Sequence, residues 1–417
     1  MPANRTPASS AAAATAAAGL AGRVHAAGSD TIRIGLVGTG GRGTRDVTNC
    51  ARSAPGVVIW ALGDLFEDRV RACHHRLKQS KELGPERFQV PEARLFHGWD
   101  NHRQVIEAVD LVLLCQPPGF RPAHLRDAFE AGRHVFAEKP MAVCPAGVRH
   151  VIASAEMAER KGLAFVAGTQ NRHNHRVIET VKRIHDGAIG RITHGACYFL
   201  TGELWHREPE PDWSEMEYQC RNWYYFTWLS GDHIVEQHIH QHDIMNWVLQ
   251  ANPVKAYGTG GRQTRTAEKW GNIWDHFGVE YEYPGGVRVH SLCRQANNTA
   301  HRVDSYVIGS KGHAFPTRGE ILGENAWSYQ GDPPDPSVQE HKDLIASIRA
   351  GKPLNEGRRI AESTLVAVFG RMSAYTGREV SWKWAMGASK LDLMPTRFAF
   401  GPNSVPPVAV PGKTELV

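Results

Sequence analysis

The chain has 417 residues, of which 41% are hydrophobic and 22% are charged, so it has the composition of a soluble globular protein with room for two or three domains. Its net charge of +5 is small for this length and no lysine or arginine block occurs, which argues against a nucleic-acid-binding protein. Seven cysteines without a Cys-x-x-Cys pair favour scattered thiols over a disulfide framework. No segment is long and apolar enough to span a bilayer.

The leader, residues 1–30, differs in composition from the rest of the chain. Residues 9–22 are small and weakly apolar, and residues 24–27 offer a small-residue cleavage site, which is typical of a secretory signal. The paired arginines of a twin-arginine signal are missing, since only Arg5 stands near the required place. A disordered Ala-rich leader is the alternative. We therefore expect a periplasmic protein if this segment is a signal, and a cytoplasmic protein otherwise.

Residues 31–165 alternate between strand-like and helical patterns. Apolar runs of this length, separated by amphipathic helices, predict a parallel sheet that is covered on both faces. The predicted strands are 32–37, 57–62, 111–115, 135–137 and 163–166, and the predicted helices are 125–131 and 148–160.

Residues 166–385 show a different pattern, in which apolar and polar residues alternate. The stretches 279–283 and 287–292 are separated by Tyr283-Pro284-Gly285-Gly286, a hairpin turn signal, and this predicts a mostly antiparallel sheet with one open face. Helices are predicted at 341–349 and 359–375. The tail, residues 386–417, is rich in proline and has no periodicity, so we expect it to wrap around a surface or a neighbouring subunit.

A glycine-rich turn, Gly38-Thr39-Gly40-Gly41-Arg42-Gly43, directly follows the first predicted strand and opens a helix. Gly38 permits the tight turn, Gly40 lets a pyrophosphate approach the backbone, and Gly43 lets helix and strand pack closely. The helix N-terminus offers free amides to the phosphates. A strand before the turn and a helix after it favour a Rossmann dinucleotide site, with these six residues as cofactor contacts.

Asp64 ends the second predicted strand, about twenty residues beyond the turn. A carboxylate at this position accepts the ribose hydroxyls and repels a 2′-phosphate, so we predict NAD, with NADP less favoured. The residues that follow, Leu65 and Phe66, carry no positive charge and agree with this choice. The alternative is that Asp64 only caps the strand end. Gln116 and Pro117, which follow another strand, are further predicted cofactor contacts.

A second motif, Glu138-Lys139-Pro140, follows the strand-like residues 134–137. The carboxyl end of such a strand is where ligands bind in open α/β sheets, so Lys139 indicates redox chemistry on an alcohol beside a nicotinamide. Glu138 and Lys139 are both predicted to contact the cofactor. The alternatives for Lys139 are an ion pair with Glu138 or a surface loop, and Pro140 could hold a cis bond that fixes the turn.

Together with a downstream segment of acidic and histidine residues, these two motifs resemble the Gfo/Idh/MocA family, named for glucose–fructose oxidoreductase, inositol dehydrogenase and rhizopine-catabolism proteins. The resemblance covers residues from about 31 to 385. It implies an α/β protein with an N-terminal Rossmann domain and a C-terminal α+β domain that has a large, mostly antiparallel open sheet. It also implies oxidation or reduction of sugar and cyclitol hydroxyls with NAD(P), and a homodimer or homotetramer.

The resemblance implies roles for single residues. The family lysine maps onto Lys139, which would bond the reacting hydroxyl. The family motif of an Asp, a His four residues later and an Asp three further is matched by Glu236, His240 and Asp243, and this spacing places them on one helix face. His240 then resembles the proton acceptor, with Glu236 as a second catalytic residue. Because Glu236 replaces the usual Asp and His238 the usual Gly, either could instead hold the substrate, as could Asp243.

Arg172 and two aromatic segments are further candidates for the substrate site. Arg172 follows the last strand of the first domain, where it could bond substrate hydroxyls or close a domain interface. The segments 205–207 and 223–225 could line a sugar pocket, although aromatic clusters more often form core.

The histidines around the predicted base raise the question of a metal. On a helix, His238 and His242 share a face while His240 points elsewhere. A bound zinc is the alternative to a metal-free site, but the cofactor and the base already supply the chemistry, so we predict no metal.

We therefore expect an enzyme that transfers hydride between NAD(P) and a secondary hydroxyl of a small polyol, sugar or glycoside. An alternative is a redox-neutral glycosidase, in which a retained NAD oxidises a sugar transiently before the glycosidic bond is cleaved and the sugar is reduced again. A non-catalytic sensor on the same fold is a further alternative, which the presence of Lys139 and His240 disfavours.

Overall fold

The protein is represented by a computed structural model that describes residues 30–417. The predicted leader lies outside the described residues, apart from its last residue, so the signal and the localisation stay predictions. The described part contains a six-stranded parallel sheet and a nine-stranded, mostly antiparallel sheet. This confirms the predicted α/β architecture with a second, open sheet.

The first sheet has the strand order β3-β2-β1-β4-β5-β6, and all of its strands are parallel. Its strands are β1 (Ile32–Val37), β2 (Val57–Asp64), β3 (Leu95–His97), β4 (Leu111–Leu114), β5 (His134–Ala137) and β6 (Phe165–Ala167). The helices between and after them are α1 (Gly41–Ser53), α2 (Glu67–Lys78), α3 (Asn101–Ala108), α4 (Arg121–Glu130), α5 (Pro145–Arg160) and α6 (His175–His185).

Burial explains which strands of the first sheet the sequence revealed. All four residues of β4 are fully buried, as expected for a central strand that is covered on both faces. The edge strand β3 was not predicted, because it has only three residues and all of them are partly or fully exposed. The chain order reverses between β1 and β4, and this switch point is where ligands bind in open α/β sheets.

The second sheet has the order β14-β13-β12-β11-β7-β10-β9-β8-β15, and only β7 and β10 are parallel neighbours. Its strands are β7 (Ile192–Thr201), β8 (Lys255–Gly261), β9 (His276–Glu282), β10 (Arg288–Gln295), β11 (Arg302–Gly309), β12 (Gly312–Phe315), β13 (Glu320–Gly323), β14 (Trp327–Ser328) and β15 (Val380–Ser381). The hairpin of β9 and β10 is the one that the turn signal predicted.

Seven further helices lie in the described part of the chain after α6. They are α7 (Glu215–Arg221), α8 (Thr227–Ser230), α9 (His233–Glu236), α10 (Ile239–Leu249), α11 (Pro336–Arg349), α12 (Gly357–Thr376) and α13 (Trp382–Gly387). None of the described helices has both the length and the apolar character needed to cross a membrane.

The two sheets do not divide the chain where the sequence suggested. The boundary at residue 165 falls inside β6, and α11 returns to the first sheet, where Leu344 and Ile345 share one core with Ile34 and Leu36. The apolar side of α11 covers a face of the parallel sheet that would otherwise be open, which is why a helix from the end of the chain belongs to the first core.

His173 connects the end of the first sheet to the returning helices. Its Nδ1 lies 2.6 Å from Asp343 Oδ2 on α11, and its Nε2 lies 3.7 Å from Glu356 Oε1. Burial alone would lower the pKa of His173, but these two carboxylates outweigh it and raise that pKa to about 9. The protonated ring therefore stabilises the fold below its unfolded pKa of about 6.5, and this stabilisation is lost as the pH rises through about 9.

The free energy of unfolding is expected to fall between about pH 6.5 and pH 9, with a contribution of up to about 3 kcal/mol from His173. Urea unfolding across this range should show a flatter pH dependence for His173→Gln than for the wild type. The exposed neighbour His175 provides the control, since His175→Gln should keep the wild-type profile. Equal slopes for the wild type and His173→Gln would contradict the assignment.

Candidate functional site

The glycine turn between β1 and α1 has the geometry of a phosphate-binding loop. Gly38 has a φ of +93°, and a Cβ on it would lie 2.4 Å from the Gln116 backbone nitrogen. A Cβ on Gly43 would lie 2.1 Å from the Gly38 carbonyl oxygen, so both glycines are required by packing. A Cβ on Gly40 would meet no atom within 4 Å, which leaves room for a ligand at the α1 N-terminus. These residues fit a dinucleotide pyrophosphate.

Asp64 lies beside the turn, but its carboxylate already has partners. Its Oδ2 accepts hydrogen bonds from Thr39 N at 2.7 Å and Thr39 Oγ1 at 2.9 Å, and its Oδ1 accepts one from Phe66 N at 3.2 Å. The strand-end cap that the sequence left as an alternative is therefore present. Asp64 also lines the adjacent cavity, where a carboxylate can accept further bonds on its remaining lone pairs.

A cavity of about 770 Å³ extends from the glycine turn and matches the predicted cofactor site. The predicted contacts that line it are Gly38, Thr39, Gly40, Gly41, Arg42, Gly43, Asp64, Gln116 and Pro117. Arg69, Arg207 and Arg221 also line this cavity. The sequence pointed to neither Arg69 nor Arg221, and it offered Arg207 only as part of a sugar pocket. Burial lowers the pKa of Arg69, Asp64 raises it, and the neighbouring Arg207 and Arg221 lower it, so several arginines lie close together at this end of the cavity, beside the carboxylates of Asp64 and Asp68.

No local pattern could have located these arginines. Arg69 lies in α2 and Arg221 in α7, 152 residues later, and Arg69 Nη2 donates to the Arg221 carbonyl at 3.3 Å. The chain has two lobes, one built on the parallel sheet and one built on the second sheet, and only folding brings them together here. The resulting charge suits the phosphates of a dinucleotide.

The tail packs against residues that line the same end of the cavity. The Phe400 ring lies 5.3 Å from the Trp99 ring and 5.9 Å from the Phe66 ring, so it packs on the first lobe. Asn403 N donates to Glu215 Oε2 on α7 at 2.7 Å. The tail therefore wraps its own chain, which was one of the two expected positions, and it connects α7 to the rim of the cofactor cavity.

Glu138 organises the end of β5. Its Oε1 accepts from Arg42 Nε at 2.7 Å, and its Oε2 accepts from Lys139 N at 3.0 Å. The peptide between Lys139 and Pro140 is cis. The fully buried Arg121 donates to the carbonyl oxygens of Pro140 and Gln116, so it fixes the loops after β4 and β5 relative to each other.

Lys139 is paired with Glu236 rather than with its neighbour Glu138. Its Nζ donates to Glu236 Oε1 at 2.8 Å and to the Glu236 carbonyl at 2.6 Å, and each side chain is 10% exposed. Burial raises the pKa of Glu236, and the nearby ammonium only partly offsets that effect. Neither of the two alternative readings of Lys139 matches this geometry.

Lys139, Glu236 and His240 meet in a second cavity of about 600 Å³. Burial, together with the positive charges of Lys139 and Arg42, lowers the pKa of His240 to about 3, so its ring is neutral at neutral pH. The other residues that line this cavity include Gln170, Asn171, Phe199, Trp205, Trp223, Tyr224, Gln237 and Gln241. Arg42, Cys115 and Gln116 line both cavities, which therefore adjoin.

Asp243 and Arg172 are hydrogen-bonded to each other, and neither side chain lines this cavity. Arg172 Nε donates to Asp243 Oδ2 at 2.7 Å, and Arg359 Nη1 and Ser363 Oγ donate to Oδ1 at 2.9 and 2.8 Å. Burial would raise the pKa of Asp243, but the two arginines hold it well below its usual range. The predicted substrate contacts Arg172 and Asp243 are a buried ion pair that does not line the cavity, which fits the interface role that the sequence left open for Arg172. Their binding of substrate stays a prediction.

His238 is likewise absent from the cavity. Its ring is fully buried, and its Nε2 lies 2.7 Å from Ser291 Oγ on β10. Glu236 ends α9 and Ile239 begins α10, so the predicted single helix is broken between them. His238 and His242 do share a face, as predicted, but that face is turned into the core, and the suggested substrate contact of His238 is therefore corrected.

The two lobes match known families in the same order. Residues 32–168 match the oxidoreductase family with an NAD-binding Rossmann fold, and residues 177–315 match the GFO/IDH/MocA C-terminal domain. The second match ends before α11, the helix that returns to the first sheet.

Among curated proteins, the inositol 2-dehydrogenase/D-chiro-inositol 3-dehydrogenase of Halalkalibacterium halodurans is 25% identical over 219 residues, which cover 52% of this chain and 53% of that protein. A glycosyl hydrolase family 109 protein of Solibacter usitatus is 28% identical over 198 residues, which cover 46% and 43%. The chain spans about half the length of these relatives.

Among solved structures, the apo scyllo-inositol dehydrogenase of Lactobacillus casei aligns with a TM-score of 0.64 at 16% identity, covering 84% of this chain and 98% of that one. The aldose-aldose oxidoreductase of Caulobacter crescentus, complexed with glycerol, aligns with a TM-score of 0.64 at 17% identity, covering 84% and 99%. At these identities the likeness shows the shared fold.

The two glycines of the turn are expected to respond differently to a methyl group. Gly38→Ala should lower the free energy of unfolding by about 2–4 kcal/mol, because of its positive φ and the contact with Gln116. Gly40→Ala should change stability by less than about 0.5 kcal/mol. It should nevertheless weaken NAD binding by about tenfold, because the methyl group occupies the space open to the pyrophosphate.

Chemical denaturation and calorimetric titration with NAD measure the two effects on the same proteins. If Gly40→Ala bound NAD as tightly as the wild type, the pyrophosphate would not lie on this turn.

Proposed function

The chain belongs to the Gfo/Idh/MocA family of oxidoreductases, and from this premise we propose that it transfers hydride between a nicotinamide dinucleotide and a secondary hydroxyl of a sugar, glycoside or cyclitol. The observation that carries the proposal is the meeting of Lys139, Glu236 and His240 in a cavity that adjoins the glycine-turn cavity. The dehydrogenase relatives named above support the same substrate class.

The two cavities offer places for both halves of the cofactor. The glycine turn and the α1 N-terminus receive the pyrophosphate, Asp64 and the arginines receive the adenosine half, and Gln116 lies where the two cavities adjoin. When bound, the nicotinamide accepts or returns the hydride. NAD is favoured over NADP because a 2′-phosphate beside Asp64 would face a buried carboxylate.

Lys139 and His240 act on the substrate oxygen. An ammonium has three donors, and two of those of Lys139 are used on Glu236, so one remains for the hydroxyl. His240 accepts the hydroxyl proton, directly or through a water, since its ring is unprotonated at neutral pH. Glu236 fixes the ammonium and, because burial raises its pKa, offers a second proton acceptor within the same cavity.

A redox-neutral glycosidase is a second candidate that the structure gives a specific reason to test. Cys220 and Arg221 of α7 line the cofactor cavity, and the tail holds α7 against the first sheet, an arrangement that favours a cofactor retained between turnovers. The glycosyl hydrolase family 109 relative supports this candidate more weakly, since it matches less than half of the chain.

We also propose that the chain forms a homodimer or homotetramer through the outer face of the second sheet. Tyr257, Leu292 and Ile308 expose large side chains on the face turned away from α10. Glu280 and His290 lie between Tyr257 and Leu292 on this face, so the proposed contact would combine exposed apolar side chains with charged ones.

Lys139→Ala should lower turnover by about 100- to 10,000-fold and leave NAD affinity nearly unchanged, because the ammonium acts on the substrate oxygen. His240→Asn should have a similar effect on turnover. Lys161→Ala is the matched control, since that ammonium also bonds backbone carbonyls, those of Phe129 and Glu130, but lies outside the cavity. Steady-state rates and NAD titration measure both quantities, and retained turnover in Lys139→Ala would rule out the assigned role.

The two candidate activities differ in what they require from the solution. A dehydrogenase should reduce added NAD in a screen of polyols, sugars and glycosides, without releasing free sugar. A redox-neutral glycosidase should carry NAD after purification and release sugar from a glycoside without added cofactor. Nicotinamide absorbance and free sugar are measured together, and mass spectrometry of the cofactor released on denaturation distinguishes NAD from NADP.

A further inference from the structure

Four polar side chains converge in the core on the side of α10 that faces away from His240. Cys197 lies on β7 and Ser291 on β10, and these two residues are directly paired across the parallel strands. His238 precedes the first residue of α10 and His242 lies one turn later. All four are at most 1% exposed, so the cluster is shielded from water.

The distances within this cluster are short. His238 Nε2 lies 2.7 Å and His242 Nε2 lies 2.9 Å from Ser291 Oγ. Cys197 Sγ lies 3.7 Å from His238 Nε2. One ligand atom from each of Cys197, His238 and His242 can be chosen so that all three lie within 4.8 Å of one another.

Hydrogen bonding within the cluster does not satisfy its polar atoms. The Ser291 hydroxyl has one proton, so it donates to one imidazole and accepts from the other. The Nδ1 atoms of His238 and His242 have no hydrogen-bond partner among the described residues. A metal bound through the two Nε2 atoms would leave both Nδ1 atoms as they are, so the argument for a metal rests on how closely the Cys197 thiol and the two imidazoles approach one another.

We propose that this cluster is a metal site for a thiophilic d¹⁰ cation, Zn²⁺ or Cu⁺. Cys197 would supply a thiolate, His238 and His242 their Nε2 atoms, and Ser291 Oγ the fourth position. In a tetrahedral zinc site with its usual bond lengths, nitrogen and sulfur ligands lie about 3.5 Å apart, close to the spacing of Cys197 and His238. Binding releases the thiol proton to solvent.

The ligand types select among the common cations. The cluster offers a thiol and two imidazoles and no carboxylate, which suits zinc or copper(I) and not magnesium or calcium. His238 and His242, one helical turn apart, and Cys197 from a strand bring three ligand atoms within 4.8 Å of one another. The ion would fasten α10, which carries His240, to β7 and β10. This site does not depend on the proposed hydride transfer.

Metal binding by the full chain tests the proposal directly. The reduced protein is incubated with Zn²⁺, or with Cu⁺ in the presence of a thiol-free reductant, and desalted, and its metal content is measured by mass spectrometry. The expected result is a metal content stoichiometric with the chain for at least one of the two ions. Co²⁺ serves as a spectroscopic probe, and it should produce a sulfur-to-cobalt charge-transfer band in the near ultraviolet.

Cys197→Ser and His242→Gln should lose the stoichiometric metal, and Cys197→Ser should also lose the cobalt band. Cys50→Ser is the matched control, because that cysteine is equally buried but lies in the core of the first sheet. A wild-type protein that retains neither ion after desalting would overturn the proposal, whatever the folding of the variants. Equal metal in wild type and Cys197→Ser would also overturn it, because the ion would then be held elsewhere.

Discussion

The ion pair between Lys139 and Glu236 is the interaction on which the candidate site depends. It joins the end of β5 to the end of α9 across 97 residues of sequence, and both side chains are almost fully buried. A buried ammonium requires partners, and Glu236 supplies both a carboxylate and a carbonyl oxygen. The pair therefore fixes the position of the ammonium relative to the cofactor cavity and directs its remaining donor to the substrate side.

The same requirement to neutralise buried charge explains how the two lobes are held together. Asp243 is enclosed by Arg172, which follows β6, and by Arg359 from α12. Glu138 is enclosed by Arg42 and the Lys139 amide. The contacts of Asp243 join elements from different parts of the chain, so a rigid-body shift between the lobes would leave that buried carboxylate unpaired, whereas Glu138 and Arg42 are held within one lobe. The orientation of His240 follows from this rigidity, because its helix is fixed by Asp243.

The parts of the structure that sequence could predict are those with a local physical signal. Continuous apolar runs identified β1, β2, β4 and β5. The turn after β1 could be recognised from its glycines, because the positive φ and the close packing at Gly38 require glycine there. Lys139 could be placed because a strand end is defined by the strand. The match of Glu236, His240 and Asp243 to one spacing was local in the same way; it placed His240 and Asp243 on one helix, α10, but not Glu236, which ends α9.

Spacing could not tell which side of that helix would face the cavity. Asp243 and His238 have side chains suited to binding a sugar, yet their partners are Arg172 and Ser291, which come from distant segments of the chain. The return of α11 to the first sheet and the arginines around Arg69 are of the same kind, since each depends on contacts between residues far apart in sequence. Tertiary partners, which one sequence does not display, decide these roles.

The charge of Lys139 also reconciles the low proton affinity of His240 with its proposed role as the proton acceptor. A ring with a pKa of about 3 is a weak base, and the nearby ammonium is one cause of that weakness. The same ammonium stabilises negative charge on the substrate oxygen, so it lowers the pKa of the hydroxyl that gives up the proton. The two effects act in opposite directions on the transfer, and the effect on the oxygen is larger when Lys139 bonds it directly, because electrostatic interaction weakens with distance. Catalysis then depends less on the basicity of His240 than on the position of the ammonium, and that position is set by Glu236.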